Sequence, residues 1–424
     1  MSKQPASGTG LRGSAMATML GVAATLVALL ITGSLAARIL GPTDRGYFAL
    51  LVLVPSLVCQ VGGLGISLAL THYVAAGEIG ASQGLRLLRR VLALQVAAVT
   101  VASVVVGIAL NLGHPGYVMG AVLIAASFAV TTYLKEYTVG LVQASGRSVS
   151  ANLLKAFSPV AGAVGLTALY VGGAESLTAV VVVWAATEWI SSALLVVVTR
   201  MYLRRDAPGG DVDSAVSRAR ILEFGRAAYF SYLSPLDTFR LDQLYVGVAL
   251  SATALGYYAA GAAFTTIPRV LAHSVGLTAA PLIARQRFGA RVSVRRTGLV
   301  LGGLAIGTSA VTALAVGLSA EWLVPALYGD AFRPAISLTQ ILMVGGFLFA
   351  VRRILIDVLR GVGRPAAGWR SEVGGLVVFA VLAPVLSAAD AEAGVAWAFT
   401  IAAAVNVGSL LWRERRLVRL LRSP

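Results

Sequence analysis

The chain has 424 residues, of which 58% are hydrophobic and only 12% charged, with a formal net charge of +16 and a mean hydropathy of +0.83. A soluble domain carries about twice that share of charged residues, so the composition excludes a soluble enzyme and implies a polytopic membrane protein. The single cysteine, Cys59, excludes a disulfide framework and a cysteine-ligated metal cluster.

Taken in order, Met1–Arg12 reads as a short polar tail. The apolar run after it is too long for the core of a cleaved leader and lacks a cleavage pattern, so it is read as a first span. Apolar segments of the length that crosses a hydrocarbon core, about 20 residues, then recur between polar breaks. Twelve are predicted: 16–37, 47–73, 91–112, 117–142, 152–172, 177–199, 226–249, 254–284, 297–318, 335–358, 372–388 and 393–412. No long alternating strand pattern interrupts them, so the expected fold class is an all-α integral membrane protein.

Orientation follows from the basic residues. With the N-terminus inside, Arg38, Arg45 and Arg333 fall on outer connections and Arg240 and Arg269 fall within spans. The other 29 of the 34 Lys and Arg fall on the cytoplasmic side. This asymmetry predicts cytoplasmic termini and accounts for the basic charge without a nucleic-acid partner.

The longest connection, 200–225, contains Pro208-Gly209-Gly210 and mixed charges and reads as a cytoplasmic linker. It divides the chain into a tail (1–15), a six-helix bundle (16–199), the linker (200–225), a second six-helix bundle (226–412) and a basic tail (413–424). The halves resemble each other. Ile39–Leu51 aligns with Ala249–Gly261, matching Gly46 to Gly256 and Tyr47 to Tyr257. Leu134–Ser148 aligns with Val351–Pro365, matching Gly146-Arg147 to Gly363-Arg364. Six spans per half keep both halves in one orientation, so the pseudo-two-fold axis is expected along the membrane normal, with the substrate path between the halves.

Four ionisable groups are predicted near mid-membrane: Glu188 on span 6, Asp237 and Arg240 on span 7 after Pro235, and Arg269 on span 8 after Pro268. Asp242 follows closely. Each costs several kcal/mol at that depth, roughly 2.5–3.5 on insertion scales, unless it meets water or a partner. Asp237 and Arg240 are spaced to pair along one helix face, which leaves Glu188 as the partner for Arg269. Such pairs could be purely structural. Alternatively they line a transport path, where two guanidiniums suit a phosphate or diphosphate, and Glu188, Asp237 and Asp242 are candidates for ion coupling. Lys135, Glu136, Arg352, Arg353 and Asp357 lie in the inner third of spans 4 and 10. They either line a cytoplasmic vestibule or snorkel. The chain lacks a Gly-rich phosphate loop followed by Lys-Ser/Thr, and its three histidines are not at ligand spacing. No catalytic residue, metal or cofactor is therefore expected.

The stretches ARILGPTDRGYFAL (Ala37–Leu50), LVQASGR (Leu141–Arg147), LDQLYVGVALSATALGYYAAG (Leu241–Gly261) and ALYGDAF (Ala326–Phe332) resemble the Wzx-like polysaccharide transporter family. That family is the oligosaccharide-lipid branch of the multidrug/oligosaccharidyl-lipid/polysaccharide (MOP) exporter superfamily. The resemblance covers nearly the whole chain. It implies twelve helices in two six-helix bundles around a cavity and alternating access. It also implies a lipid-linked oligosaccharide as substrate, with membrane lipids, and a polymerase or glycosyltransferases of the same pathway, as partners. Cationic cavity residues would hold the diphosphate, for which Arg240 is the nearest candidate, and Asp242 falls where the family commonly has an acid. The alternatives are an ion-coupled drug or metabolite antiporter of the same fold, and a polytopic glycosyltransferase or polymerase. The latter needs a sizeable outer loop with catalytic groups, which the short outer connections do not provide.

Overall fold

The computed structural model describes residues 8–110, 115–145, 147–205, 217–232, 235–272, 294–361 and 367–414. All regular structure among them is helical. They form two compact units: one comprises the residues up to Leu40 and Leu51–Phe230, the other Gly41–Leu50 and the residues from Ser231 onward.

The first unit begins in α1 (Gly8–Gly62), two helical arms joined at Gly41, whose φ of 66° a side chain would strain. The arms correspond to spans 1 and 2. A second break follows at 63–65, where Leu64 and Gly65 both have positive φ, before α2 (Ile66–Ala75). Breaking a helix inside a membrane frees carbonyls that lipid cannot satisfy. Here side chains satisfy them: Gln95 Nε2 donates to Gly62 O and Gly63 O at 2.7 and 2.9 Å, Tyr133 to Cys59 O at 2.7 Å, and Tyr229 to Gln60 O at 2.6 Å. The unit continues through α3 (Ala81–Leu110), α4 (Pro115–Ala144), α5 (Ser148–Val171), α6 (Leu177–Arg205) and α7 (Arg218–Tyr232). On α3 the buried line is Gly84, Leu88, Gln95, Val99, Ser103 and Gly107, while Leu94, Val101 and Val105 are exposed. Four of the six buried positions are small or polar and these exposed ones are aliphatic, the pattern of a helix packed against protein on one side and lipid on the other.

The second unit contains α8 (Leu241–Tyr245), which passes into a wide π turn (Val246–Leu250), then α9 (Ala252–Phe264), capped by Ser251 accepting from the Ala254 N–H at 3.1 Å. Helical backbone resumes over 266–272. After it come α10 (Val294–Tyr328), a 3₁₀ turn (Asp330–Phe332), α11 (Ala335–Gly361) and α12 (Ala367–Arg413), the last broken at Asp390–Ala391 into two arms.

Seven described helices are long and apolar enough to cross a membrane. Two of them, α1 and α12, account for two predicted spans each, although span 2 (47–73) is not continuous as expected but breaks at 63–65 and ends in α2; the seven thus account for nine of the twelve. The other three, spans 7, 8 and 10, carry Asp237, Arg240, Asp242, Arg269, Arg352, Arg353 and Asp357, and these seven residues all lie in the second unit. The tail residues 1–7 and 415–424, linker residues 206–216, the end of span 8 from 273 on, and Gly146 and Gly363-Arg364 of the repeat lie outside the described residues.

The repeat is visible as a contact within the second unit. Thr43 Oγ1 and Thr253 Oγ1, 210 positions apart, lie 2.8 Å from each other. A Cβ on Gly46 would overlap the Ala252 carbonyl, and one on Gly256 the Pro42 carbonyl. The positions aligned by sequence therefore meet, and only glycine permits backbones so close.

Candidate functional site

Span 7 is more disrupted than Pro235 alone implies. Residues 235–239 form a turn, and Arg240 takes a left-handed conformation with φ 48° before α8 begins. Such a backbone costs a non-glycine residue roughly 1–2 kcal/mol. Because this segment is not helical, Asp237 and Arg240 are not stacked on one face, and the expected pair between them does not form. Instead Asp237 accepts from Arg269 Nη1. Arg269 is anchored further: its Nε donates to Thr265 O at 3.0 Å and its Nη2 to Thr265 Oγ1 at 2.8 Å, closing the break between α9 and 266–272.

The Arg240 carbonyl accepts from the Leu244 N–H at 3.1 Å, but its guanidinium makes no hydrogen bond or ion pair to any described residue, and the residue is exposed. It shares a narrow cleft with Arg269, Asp242, Gln243 and Thr265, backed by Leu236, Ala262, Leu342 and Phe399. At its centre the cleft is no larger than a water molecule. Asp242 is 4% exposed; one carboxylate oxygen accepts from Tyr258 Oη at 2.9 Å, and the other, Oδ1, has no hydrogen-bond partner among the described residues. Two guanidiniums, one of them uncommitted, thus line one small cleft.

Glu188 does not meet Arg269. It lies in the first unit, where it accepts from Lys135 Nζ and Ser158 Oγ and joins α4, α5 and α6. Both partners stand on intact helices one packing layer away, which is why this pair forms. Lys135 is therefore committed to an ion pair, whereas the Glu136 side chain on the next position is exposed.

Arg352 neither snorkels nor opens to a vestibule. It is 5% exposed at its side chain and pairs with the wholly buried Glu372, Nη2 to Oε2, at 2.6 Å. Arg353 pairs with Asp357 one turn on, at 3.4 Å, and Asp357 is buried. Glu372 was not among the residues singled out from sequence because it falls at the first position of predicted span 372–388, where a charge is ordinary. Asn406, bonded to Glu372 at 3.4 Å, gave a better signal, a lone amide in the middle of span 393–412.

These features define a class: a two-unit chain, helical throughout its described regular structure, with several helices long and apolar enough to cross a membrane. The chain is similar in structure to the lipid II flippase MurJ in an inward closed conformation, with TM-score 0.71, 12% identity, and 94% of this chain and 87% of that one covered. It is similar to an inward-facing multidrug resistance MATE family transporter at TM-score 0.70 and 14% identity, covering 94% and 96%. A MOP superfamily transporter from Pyrococcus furiosus, described as having a binding pocket of reverse polarity, matches at TM-score 0.64 and 15% identity, covering 97% and 95%. No curated protein sequence matches the chain. The model of the polysaccharide biosynthesis protein family matches residues 11–286, and the chain belongs to that family.

Proposed function

We propose that the protein is a flippase that moves undecaprenyl-diphosphate-linked oligosaccharide units from the inner to the outer leaflet of the plasma membrane by alternating access, for export of a cell-surface polysaccharide. The family supports a role in polysaccharide biosynthesis. The observation that carries the substrate reading is Arg240, a cation at membrane depth without a protein partner among the described residues, lining one cleft with Arg269. An anionic headgroup is the chemistry that satisfies it, and a diphosphate can engage planar guanidiniums in pairs. Arg269 enters with its charge offset by Asp237, so the incoming diphosphate competes with a carboxylate for it. The cleft is closed to about one water, so loading requires the surrounding helices to part. The substrate is carried unaltered, and no cofactor takes part.

In this reading the termini and the 200–225 linker are cytoplasmic. The two six-helix bundles are 16–199 and 226–412. Asp242, buried with one oxygen unbonded, is the carboxylate best placed to exchange an ion during the cycle, which is also the observation that favours an ion-coupled antiporter as second reading.

The test is export of surface polysaccharide from cells in which this protein is the sole flippase, with protein level measured in parallel. Arg240→Ala is expected to lower export by about a hundredfold and Arg240→Lys by about tenfold, because lysine keeps the charge but loses the planar fork. Normal export by Arg240→Ala at normal protein level overturns the substrate site. Export that continues while drug efflux is lost moves the protein to the antiporter reading.

A further inference from the structure

Resting on that reading of the second unit's cleft, we infer that Glu372 is a positioning residue for it. With Arg352 and Asn406, Glu372 fixes the non-helical backbone that carries Asp237 and Arg240.

Glu372 has no exposed surface, and both of its oxygens are committed. Oε1 accepts the backbone N–H of Leu236 at 3.2 Å. Oε2 accepts from Arg352 at 2.6 Å and from Asn406 Nδ2 at 3.4 Å. One carboxylate thereby joins α11, both arms of α12 and the turn before α8. Its partners are themselves held. Arg352 Nη2 also donates to Gly368 O at 3.2 Å, and Asn406 Oδ1 accepts the Gly375 N–H at 3.2 Å. A Cβ on Gly375 would overlap the Asn406 amide, so the two arms of α12 approach as closely as this bond demands.

Burying such a pair is a poor way to gain stability, since apolar replacements of similar volume are often neutral or better. What the pair supplies is geometry. Residues 235–240 have no helix to set their course. Within the segment Phe239 N–H reaches Pro235 O at 3.2 Å, and the bond from Leu236 N–H to Glu372 ties it to the rest of the unit. Leu236 lines the cleft and immediately precedes Asp237, the partner of Arg269. A shift of Leu236 therefore moves Asp237, releases Arg269, and changes where Arg240 enters α8. Glu372 acts on the anion site through this backbone and does not touch the substrate.

The experiment places a reporter thiol on the segment: Thr238→Cys in a Cys59→Ala background, Thr238 being exposed. Its rate of reaction with a small maleimide is measured in membranes beside polysaccharide export. Asp330→Cys, on the exposed 3₁₀ turn, serves as the distant reporter. Glu372→Ala is expected to raise labelling at 238 by about tenfold, the scale of one lost buried hydrogen bond to a charged acceptor, with labelling at 330 unchanged and export lost. Glu372→Gln with Arg352→Gln keeps an acceptor for the Leu236 N–H and replaces the ion pair by an amide–amide bond; it is expected to restore both labelling and export to within about threefold. Should Glu372→Ala not accumulate, Glu372→Gln alone is compared with that double variant. The inference is overturned if removing the carboxylate leaves labelling at 238 unchanged, or raises it equally at 330, or if the double variant fails to restore it. If Arg240→Ala exports normally while Glu372→Ala still frees the segment, the positioning stands and the substrate reading falls.

Discussion

Each unit has an ionic centre within its membrane-spanning part, and the two are built differently. In the first unit Glu188 sits on unbroken α6 and meets Lys135 of α4 and Ser158 of α5. The backbone satisfies itself there, so side chains from three helices are free to satisfy one another. In the second unit the three charges beside the cleft sit where helices stop: Asp237 and Arg240 on a turn, Arg269 just beyond the interruption at Thr265. Side chains are diverted to hold loose backbone, Arg269 to Thr265 O and Glu372 to Leu236 N–H. The lesson is that the same residue types form a closed pair on intact helices and leave a cation uncommitted on broken ones. Arg240 is the case in point: it lies on the turn itself, where no helix sets its side chain against a partner.

The largest expected effect that sharpens this contrast is on export. Asp237→Asn frees Arg269 from its carboxylate, and Asp237→Asn with Arg269→Gln removes both charges. The double variant is expected to insert normally yet lower export by about a hundredfold, while Lys135→Met with Glu188→Gln in the first unit changes it less than about threefold. Equal losses from the two double variants would break the comparison.

A smaller effect should appear in stability. Glu188→Gln alone leaves Lys135 without its counter-charge, and thermal unfolding in detergent should show a loss of about 2 kcal/mol, below the 3–5 seen for fully buried pairs because this one is part-exposed. Changing Lys135 to Met as well should recover most of that loss. If the single variant is as stable as the parent, the first centre is not a closed pair.

The smallest effect sets the baseline. Asp330 and Arg333 form an ion pair on the exposed surface, and Arg333→Ala should change stability by less than about 1 kcal/mol. A larger change there would mean that ion pairs in this protein cannot be ranked by depth.

How much was legible in the sequence varies with the residue. The spans were, because crossing a bilayer with helices imposes a length and a composition that every segment must meet. The repeat was too: Gly46 and Gly256 align by sequence and meet in space, since a close backbone approach leaves glycine as its mark. The charged residues of the cleft were also legible as unusual, because a charge in an apolar span is costly wherever it points. Their partners were not. Spacing of three on an assumed helix paired Asp237 with Arg240, and elimination paired Glu188 with Arg269; both fail once span 7 unwinds. Arg352 reads from sequence as lining a cytoplasmic vestibule or snorkelling, because Glu372, its partner, is far away along the chain.

The sequence by itself therefore determined the all-helical membrane class, most span positions, the internal repeat and the set of costly charges. Each of these follows from local length, composition or depth. Only the tertiary structure decided which charge meets which, that Arg240 stands without an ion pair among the described residues, and that Glu372 holds the turn beside it. Pairing depends on where helices break and which faces they turn toward one another, and a broken helix has no period from which to read either.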